Sequence, residues 1–139
     1  MSKLTRTNAI LPFPTVGDLS SKIGRPVEIS NSNGIARAAA WEPGGGDAVG
    51  VILEADAEQA SIAIFSGGLA GTVFVKLVEA VLPGAFLYLA HNNGVIGFAD
   101  RGEESFAGET FICAQALEAG VEGEMIEAVL FRPEAITIA

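Results

Sequence analysis

The chain contains a single histidine and a single cysteine, so any reaction chemistry would have to be built on very few side chains. His91, Ser66 and Asp100 supply the residue types of a Ser-His-Asp hydrolase. Ser66, however, lies in FSGGLAG, which is not the strand-to-helix elbow that exposes such a nucleophile. His91 precedes an Asn-Gly turn, where nothing in the sequence fixes it in a pocket, and one histidine excludes the multi-histidine metal sites. We therefore predict no catalytic residues and no enzymatic activity.

Two other segments have compositions that occur in ligand sites. The glycine loop EPGGGD (residues 42–47) lacks the Lys-Ser/Thr pair of a phosphate-binding loop and carries two carboxylates that repel phosphate. Four glutamates near the C-terminal hairpin, Glu118, Glu122, Glu124 and Glu127, are not accompanied by the Asp-x-Asp-x-Asp-Gly pattern of a calcium loop. We interpret the loop as a wide turn and the glutamates as a solvated acidic edge, so no cofactor and no metal are predicted.

Cys113 has no partner for an internal disulfide. It stands in the apolar run Phe111-Ile112-Cys113-Ala114, as free cysteines that pack as small hydrophobic side chains commonly do. The sequence predicts a buried, unreactive thiol.

The composition indicates more apolar surface than one small core uses. Half of the 139 residues are hydrophobic and 18% are charged, against a typical charged share of about 25%. No uninterrupted apolar run reaches the roughly 18 residues of a membrane span, and the length fits one domain. We expect the surplus to be buried at contacts with other proteins and not in a membrane.

Charge is distributed unevenly along the chain. The formal net charge is -9, although residues 1–37 carry five cations and two anions. An acidic body repels nucleic-acid phosphates, so nucleic-acid binding is not expected. The N-terminus has no signal-peptide pattern, which predicts synthesis and retention in a cytosol.

Turn residues recur at intervals of eight to twelve residues, and short runs rich in Val, Ile, Phe and Ala lie between them. This pattern predicts an all-β fold, a small β-barrel or sandwich. A strand is preferred over a short helix at residues 76–82. The predicted strands are 26–30, 34–40, 48–54, 60–66, 72–78, 85–90, 94–99, 110–117, 124–131 and 135–138.

Residues 1–25 show no sustained period and contain Pro12 and Pro14, so we predict an extended N-terminal arm before a β domain at 26–139. Predicted strand 124–131 directs Ile126, Ala128 and Leu130 to one face, yet its other face is also partly apolar. A strand of this kind is central or lies at a subunit contact. The predicted interface residues are Ile10, Leu11 and Phe13 in the arm, Trp41 before the glycine loop, and Met125, Val129 and Phe131 in the strand.

From residue 24 onward, the order of segments resembles the small β-barrel head-decoration proteins of tailed phages. The segments that carry the resemblance are GRPVEI (24–29), AVGVIL (48–53), GTVFVKL (71–77), VLPGAFLYL (81–89), AQALEAG (114–120) and GEMIEAVL (123–130). The resemblance is a pattern of strands and glycines, and residues 1–25 have no counterpart in it. It implies a protein that docks on the outside of a capsid and stabilises the lattice.

The resemblance also implies the partners, which are the major capsid protein and further copies of the chain in a homotrimer. It places the protein on the capsid exterior of a virion, after synthesis in the host cytoplasm. Two alternatives remain open at this point. One is another virion assembly or host-surface binding module, and the other is a small-ligand-binding barrel.

Overall fold

The computed structural model describes residues 10–42, 47–65, 71–92, 94–101 and 111–135. These residues form two five-stranded antiparallel sheets, and they contain no helix. No helix long and apolar enough to cross a membrane is therefore present in the described part of the chain. The all-β prediction is confirmed, with a sandwich-like arrangement of the two sheets.

The first sheet is built from β1 to β5, which we call the first unit. The strands are β1 (Ile10–Pro14), β2 (Pro26–Ser32), β3 (Ile35–Ala40), β4 (Ala48–Ala55) and β5 (Gln59–Ile64). Their order in the sheet is β1-β5-β4-β2-β3. The second unit contains β6 (Thr72–Lys76), β7 (Phe86–Asn92), β8 (Val95–Asp100), β9 (Phe111–Ala116) and β10 (Met125–Ala135), in the order β6-β10-β9-β7-β8.

The two sheets share one topology. In each sheet, the first strand of the unit lies at one edge, followed by the fifth, fourth and second strands, and the third strand forms the other edge. Hydrogen bonds outside the ladders repeat as well. The Gly24 N–H donates to Ile52 O at 2.7 Å, and the Gly84 N–H donates to Ala116 O at 2.8 Å. The chain therefore folds as two copies of one five-stranded unit.

Neither sheet closes into a barrel. In each unit the two edge strands approach at a single isolated parallel bridge, Thr15 with Ala38 in the first and Leu77 with Phe98 in the second. The edges are otherwise not joined by a ladder in the described residues. The barrel alternative of the sequence analysis is therefore wrong, and the sandwich alternative is right.

Inward-facing side chains fill each unit at equivalent positions. In the first unit they include Leu19, Val27, Ala38, Ile52 and Ile62, all buried. In the second unit the matching positions are Val81, Leu87, Phe98, Ala116 and Ala128, also buried. The alternation predicted for residues 73–77 and 126–130 is confirmed, since Val73, Val75, Leu77, Ile126, Ala128 and Leu130 are all buried.

The N-terminal boundary predicted at residue 25 needs correction. Ile10–Pro14 forms edge strand β1 and pairs with β5, and Phe13 packs against the core of the first unit. Leu19 is itself a core residue. Residues 10–25 therefore belong to the β fold and are not an extended arm, while residues 1–9 lie outside the described residues.

The other nine strands lie where the sequence predicts them, with shifted ends. The separate strand predicted at 135–138 differs, because β10 continues without a break to Ala135, and residues 136–139 lie outside the described part. The β7–β8 hairpin is also confirmed, with Asn92 opposite Val95 and Gly94 at φ 81°.

The β2–β3 hairpin turns through Asn33 and Gly34, at φ 54° and 83°. An added Cβ at Gly34 would meet no described atom within 4 Å, so an alanine there costs only backbone strain. We expect Gly34→Ala to lower the free energy of unfolding by about 1 kcal/mol, since a left-handed conformation costs a Cβ-bearing residue about that much. Gly34→Asn should lose less, because asparagine tolerates this region. Urea unfolding of both variants measures the difference, and equal losses would contradict the assignment of the turn.

Candidate interaction surfaces

His91 and Asp100, two of the residues that suggested catalysis, are not brought together in the described structure. His91 is exposed and pairs with Ile96, whereas Asp100 pairs with Leu87 at the other end of the β7–β8 ladder. Ser66 lies outside the described residues. A histidine and a carboxylate at opposite ends of a hairpin are too far apart to exchange a proton directly.

The C-terminal glutamates act as acceptors that order the segment between β9 and β10. A Glu118 carboxylate oxygen accepts the Glu127 N–H at 3.0 Å, and a Glu124 carboxylate oxygen accepts the Val121 N–H at 2.8 Å. The Glu127 carboxylate in turn accepts the Thr72 hydroxyl at 2.9 Å. Among the described residues, no three metal-ligating side chains come together.

Cys113 is fully buried, as predicted, with its Sγ 3.9 Å from the Leu87 carbonyl oxygen. Burial disfavours the thiolate and raises the pKa of this thiol well above its usual range. The side chain therefore contributes packing in the core of the second unit and not reactivity.

The units meet through an outward-facing row of the first sheet. Pro26 pairs with Val51, Val51 with Ala63, and Ala63 with Ile10, so these four residues share one face. Val51 and Ala63 are fully buried. Together with Phe65 they join the same buried cluster as Val73, Leu89 and Leu130 of the second unit. The outer row of the first unit thus covers inner residues of the second.

Polar and van der Waals contacts hold the edge of this junction. The Lys76 N–H donates to Gly24 O at 2.9 Å across the two units. The side chain of Met125 lies against Gly24, where a Cβ would meet its thioether. An apolar groove of about 300 Å³ opens beside it between the units, lined by Ile10, Ile23, Leu53, Thr72, Val73, Phe74 and Met125.

The predicted interface residues fall into three places. Ile10 and Met125 come together in the groove between the units. Leu11 and Phe13 are half-buried in β1, and Trp41 is half-buried against the central cluster. Val129 and Phe131 lie half-buried on the outward face of β10, where the Phe131 ring stands 6.1 Å from that of Phe86. Their role in contacts with other proteins stays a prediction.

Several exposed apolar residues near these positions were not identified from the sequence. Phe86 and Leu117 accompany Phe131 and Val129 on the second unit, and Phe74 borders the groove. Alternation places Phe86 on the outward face of β7, but only the three-dimensional arrangement shows that it stays 43% exposed beside Phe131.

No family model and no curated protein matches the sequence. The fold, however, is similar to that of a solved phage structure. It is the head fiber gp8.5 N base in bacteriophage phi29, which this chain matches with a TM-score of 0.57. The match covers 92% of this chain and 99% of that chain, at 15% sequence identity. The likeness to the phi29 head fiber base therefore establishes a shared fold across nearly the whole chain.

The contribution of the Gly24 contact to stability can be measured by comparing substitutions at Gly24 and at Gly84, the equivalent glycine of the second unit. Both have positive φ, but a Cβ at Gly84 would meet no described atom within 4 Å. We expect Gly24→Ala to lower the free energy of unfolding by about 1 kcal/mol more than Gly84→Ala, because it also displaces Met125. Urea unfolding measures both losses. The Met125→Ala change should remove part of the excess, and equal losses at the two glycines would contradict this junction.

The raised pKa of Cys113 predicts a loss of stability in alkali. Below pH of about 8.5, the thiol is protonated in both the folded and the unfolded state. Above it, the unfolded thiol ionises while the folded thiol does not, so the free energy of unfolding falls by up to about 1.4 kcal/mol per pH unit. Cys113→Ala removes this contribution. In urea unfolding under reducing conditions, the free energy of unfolding of the wild type should fall relative to that of the variant as pH rises. A difference between the two that is independent of pH would contradict the burial of Cys113.

Proposed function

We propose that this chain is a structural protein of a tailed-phage capsid, which binds the outside of the lattice and stabilises it. The observation that carries the proposal is the fold shared with the phi29 head fiber base over 92% of the chain. The order of segments from residue 24 onward, which resembles phage head-decoration proteins, supports the same class of function independently of the fold comparison.

The surface chemistry supports a role in protein contacts. Large apolar side chains are exposed on both units, among them Ile29 and Ile35 on the first and Phe74, Phe86 and Leu117 on the second. Exposed apolar groups of this size are stabilised when another protein covers them. The acidic body, with a net charge of -9, favours protein partners that present basic or neutral surfaces over nucleic acid.

Stabilisation of a lattice requires contacts with more than one neighbour. The two units are connected by a continuous buried cluster. The chain can therefore hold together a structure bound by the first unit and a structure bound by the second unit. The proposed partners are the major capsid protein and other copies of the chain, assembled as a homotrimer. The proposed location is the exterior of the virion after synthesis in the host cytoplasm.

A second candidate is the attachment base of a fibre or other virion appendage. The solved structure of similar fold is described as the base of a head fiber, which favours this candidate over a small-ligand-binding domain. An image of the protein in its assembly separates the two roles, since a decoration protein occupies lattice positions without carrying a projecting structure.

The proposal is tested by adding the purified chain to capsid shells that lack it, from the phage that encodes it. We expect saturable binding to the outer surface and a higher temperature of shell disruption, measured by light scattering and calorimetry. Absence of both binding and co-purification with shells would refute a capsid role. Binding without any change in disruption temperature would favour the fibre-base candidate.

The N-terminal residues provide a more specific test. Residues 1–9 contain Lys3 and Arg6 and no acidic residue, so this segment, unlike the acidic body, suits contact with an acidic patch on the capsid. We expect deletion of residues 1–9 to weaken attachment to shells and to leave the melting temperature nearly unchanged. Deletion of residues 1–14 should also lower the melting temperature, because it removes β1 from the first sheet. Unchanged attachment after the shorter deletion would refute a role for this segment.

A further inference from the structure

The contact between the two units is directional, since each contributes a different surface. The first unit contributes its outward row, including Val51 and Ala63, and the second contributes inward residues at one end of its sheet, including Val73, Leu89 and Leu130. Because the units have the same topology, each of these surfaces has an equivalent on the other unit.

The equivalent of the first unit's outward row is exposed on the second unit. Pairing of Phe86 with Gln115, Gln115 with Val129, and Val129 with Thr72 forms the matching row. Phe86 is 43% exposed, although its equivalent Pro26 is buried. Leu117, beside this row, is 45% exposed. We call Phe86, Leu117, Val129 and Phe131 the outer face of the second unit.

The equivalent of the second unit's covered end is open on the first unit. Val73, Leu89 and Leu130 are buried, whereas the matching residues Leu11, Ile29 and Ile64 are less buried. Ile29 is 36% exposed although it pairs with the fully buried Ala38. We call Leu11, Ile29 and Ile64 the open end of the first unit.

We propose that the outer face of the second unit docks on the open end of the first unit of another copy of this chain. Another copy fits this surface because, within the chain, a five-stranded unit of the same fold already covers the equivalent surface. The inference deepens the self-association part of the proposed function and rests on it, but it does not depend on capsid binding. Contacts of this head-to-tail kind close into rings when the rotation between copies permits.

The contact between copies is weaker than the contact within the chain. Lys76 donates its N–H to Gly24 of the other unit, and the residue that matches Lys76 in the first unit is Pro14. Both pair with the first residue of the adjacent strand, Met125 and Gln59 respectively. Proline has no N–H, so another copy cannot repeat this hydrogen bond. Assembly therefore needs a high concentration of the chain, and a neighbouring lattice surface that concentrates the chain favours it.

The test uses one variant on each surface and measures mass by sedimentation equilibrium of the full chain. Phe86→Asp and Ile29→Asp each place a carboxylate in the contact, and each should weaken self-association roughly 100-fold or more, since a buried unpaired charge is strongly unfavourable. Leu117→Asp serves as a second outer-face variant if Phe86→Asp fails to fold. Val16→Asp is the matched control, because Val16 is 46% exposed and belongs to neither surface.

A mixture of the two single-surface variants distinguishes head-to-tail contact from a symmetric one. Phe86→Asp keeps an intact open end and Ile29→Asp keeps an intact outer face, so together they should form a heterodimer that cannot grow. Wild-type chain that stays monomeric at high concentration would overturn both the inference and self-association. If both variants form the same oligomers as the wild type, the inference is overturned, but self-association is not. Capsid binding by monomeric variants would leave the proposed capsid role intact.

Discussion

The packing of the first unit's outward row onto the second unit is the interaction on which the rest of the fold depends. Val51, Ala63 and Phe65 are nearly or fully buried in a cluster whose other buried members come from the second unit. Removing a Val or Phe side chain from water contributes about 1.5–3 kcal/mol, so these few residues supply a substantial part of the stability of a small domain. Without this contact, each sheet would have only a small hydrophobic core and would leave apolar side chains exposed to water.

Much of the secondary structure can be predicted from the sequence because its signals are local. Asn-Gly turns require positive φ, and alternating side chains such as Val73, Val75 and Leu77 define the buried face of a strand. The strand that was missed, β1, contains Pro12 and Pro14. Those prolines argue against a central strand, but they are compatible with an edge strand, which is the position that β1 occupies. Whether a strand lies at an edge is decided by tertiary pairing, which the local sequence does not encode.

The twofold repetition of the fold has only a faint sequence signal. Asn33-Gly34 and Asn93-Gly94 are sixty residues apart, as are Gly24 and Gly84. Residues at matching core positions differ in type, since Thr15 of the first unit corresponds to Leu77 of the second, and Ala38 corresponds to Phe98. The candidate surfaces were harder still to predict. Phe86 and Pro26 occupy the same position in their units, and their burial differs only because the second unit covers the first.

The prolines of β1 also affect how the protein behaves when many copies are crowded together. The Thr15 N–H donates to Glu58 O, so by alternation the backbone positions of Pro12 and Pro14 face away from β5, on the outer side of this edge strand. A proline has no N–H to offer an incoming strand, so this edge is a poor template for adding strands from other molecules. At this edge, copies of an apolar, β-rich chain held at high local density are thus hindered from joining their sheets into continuous cross-β aggregates.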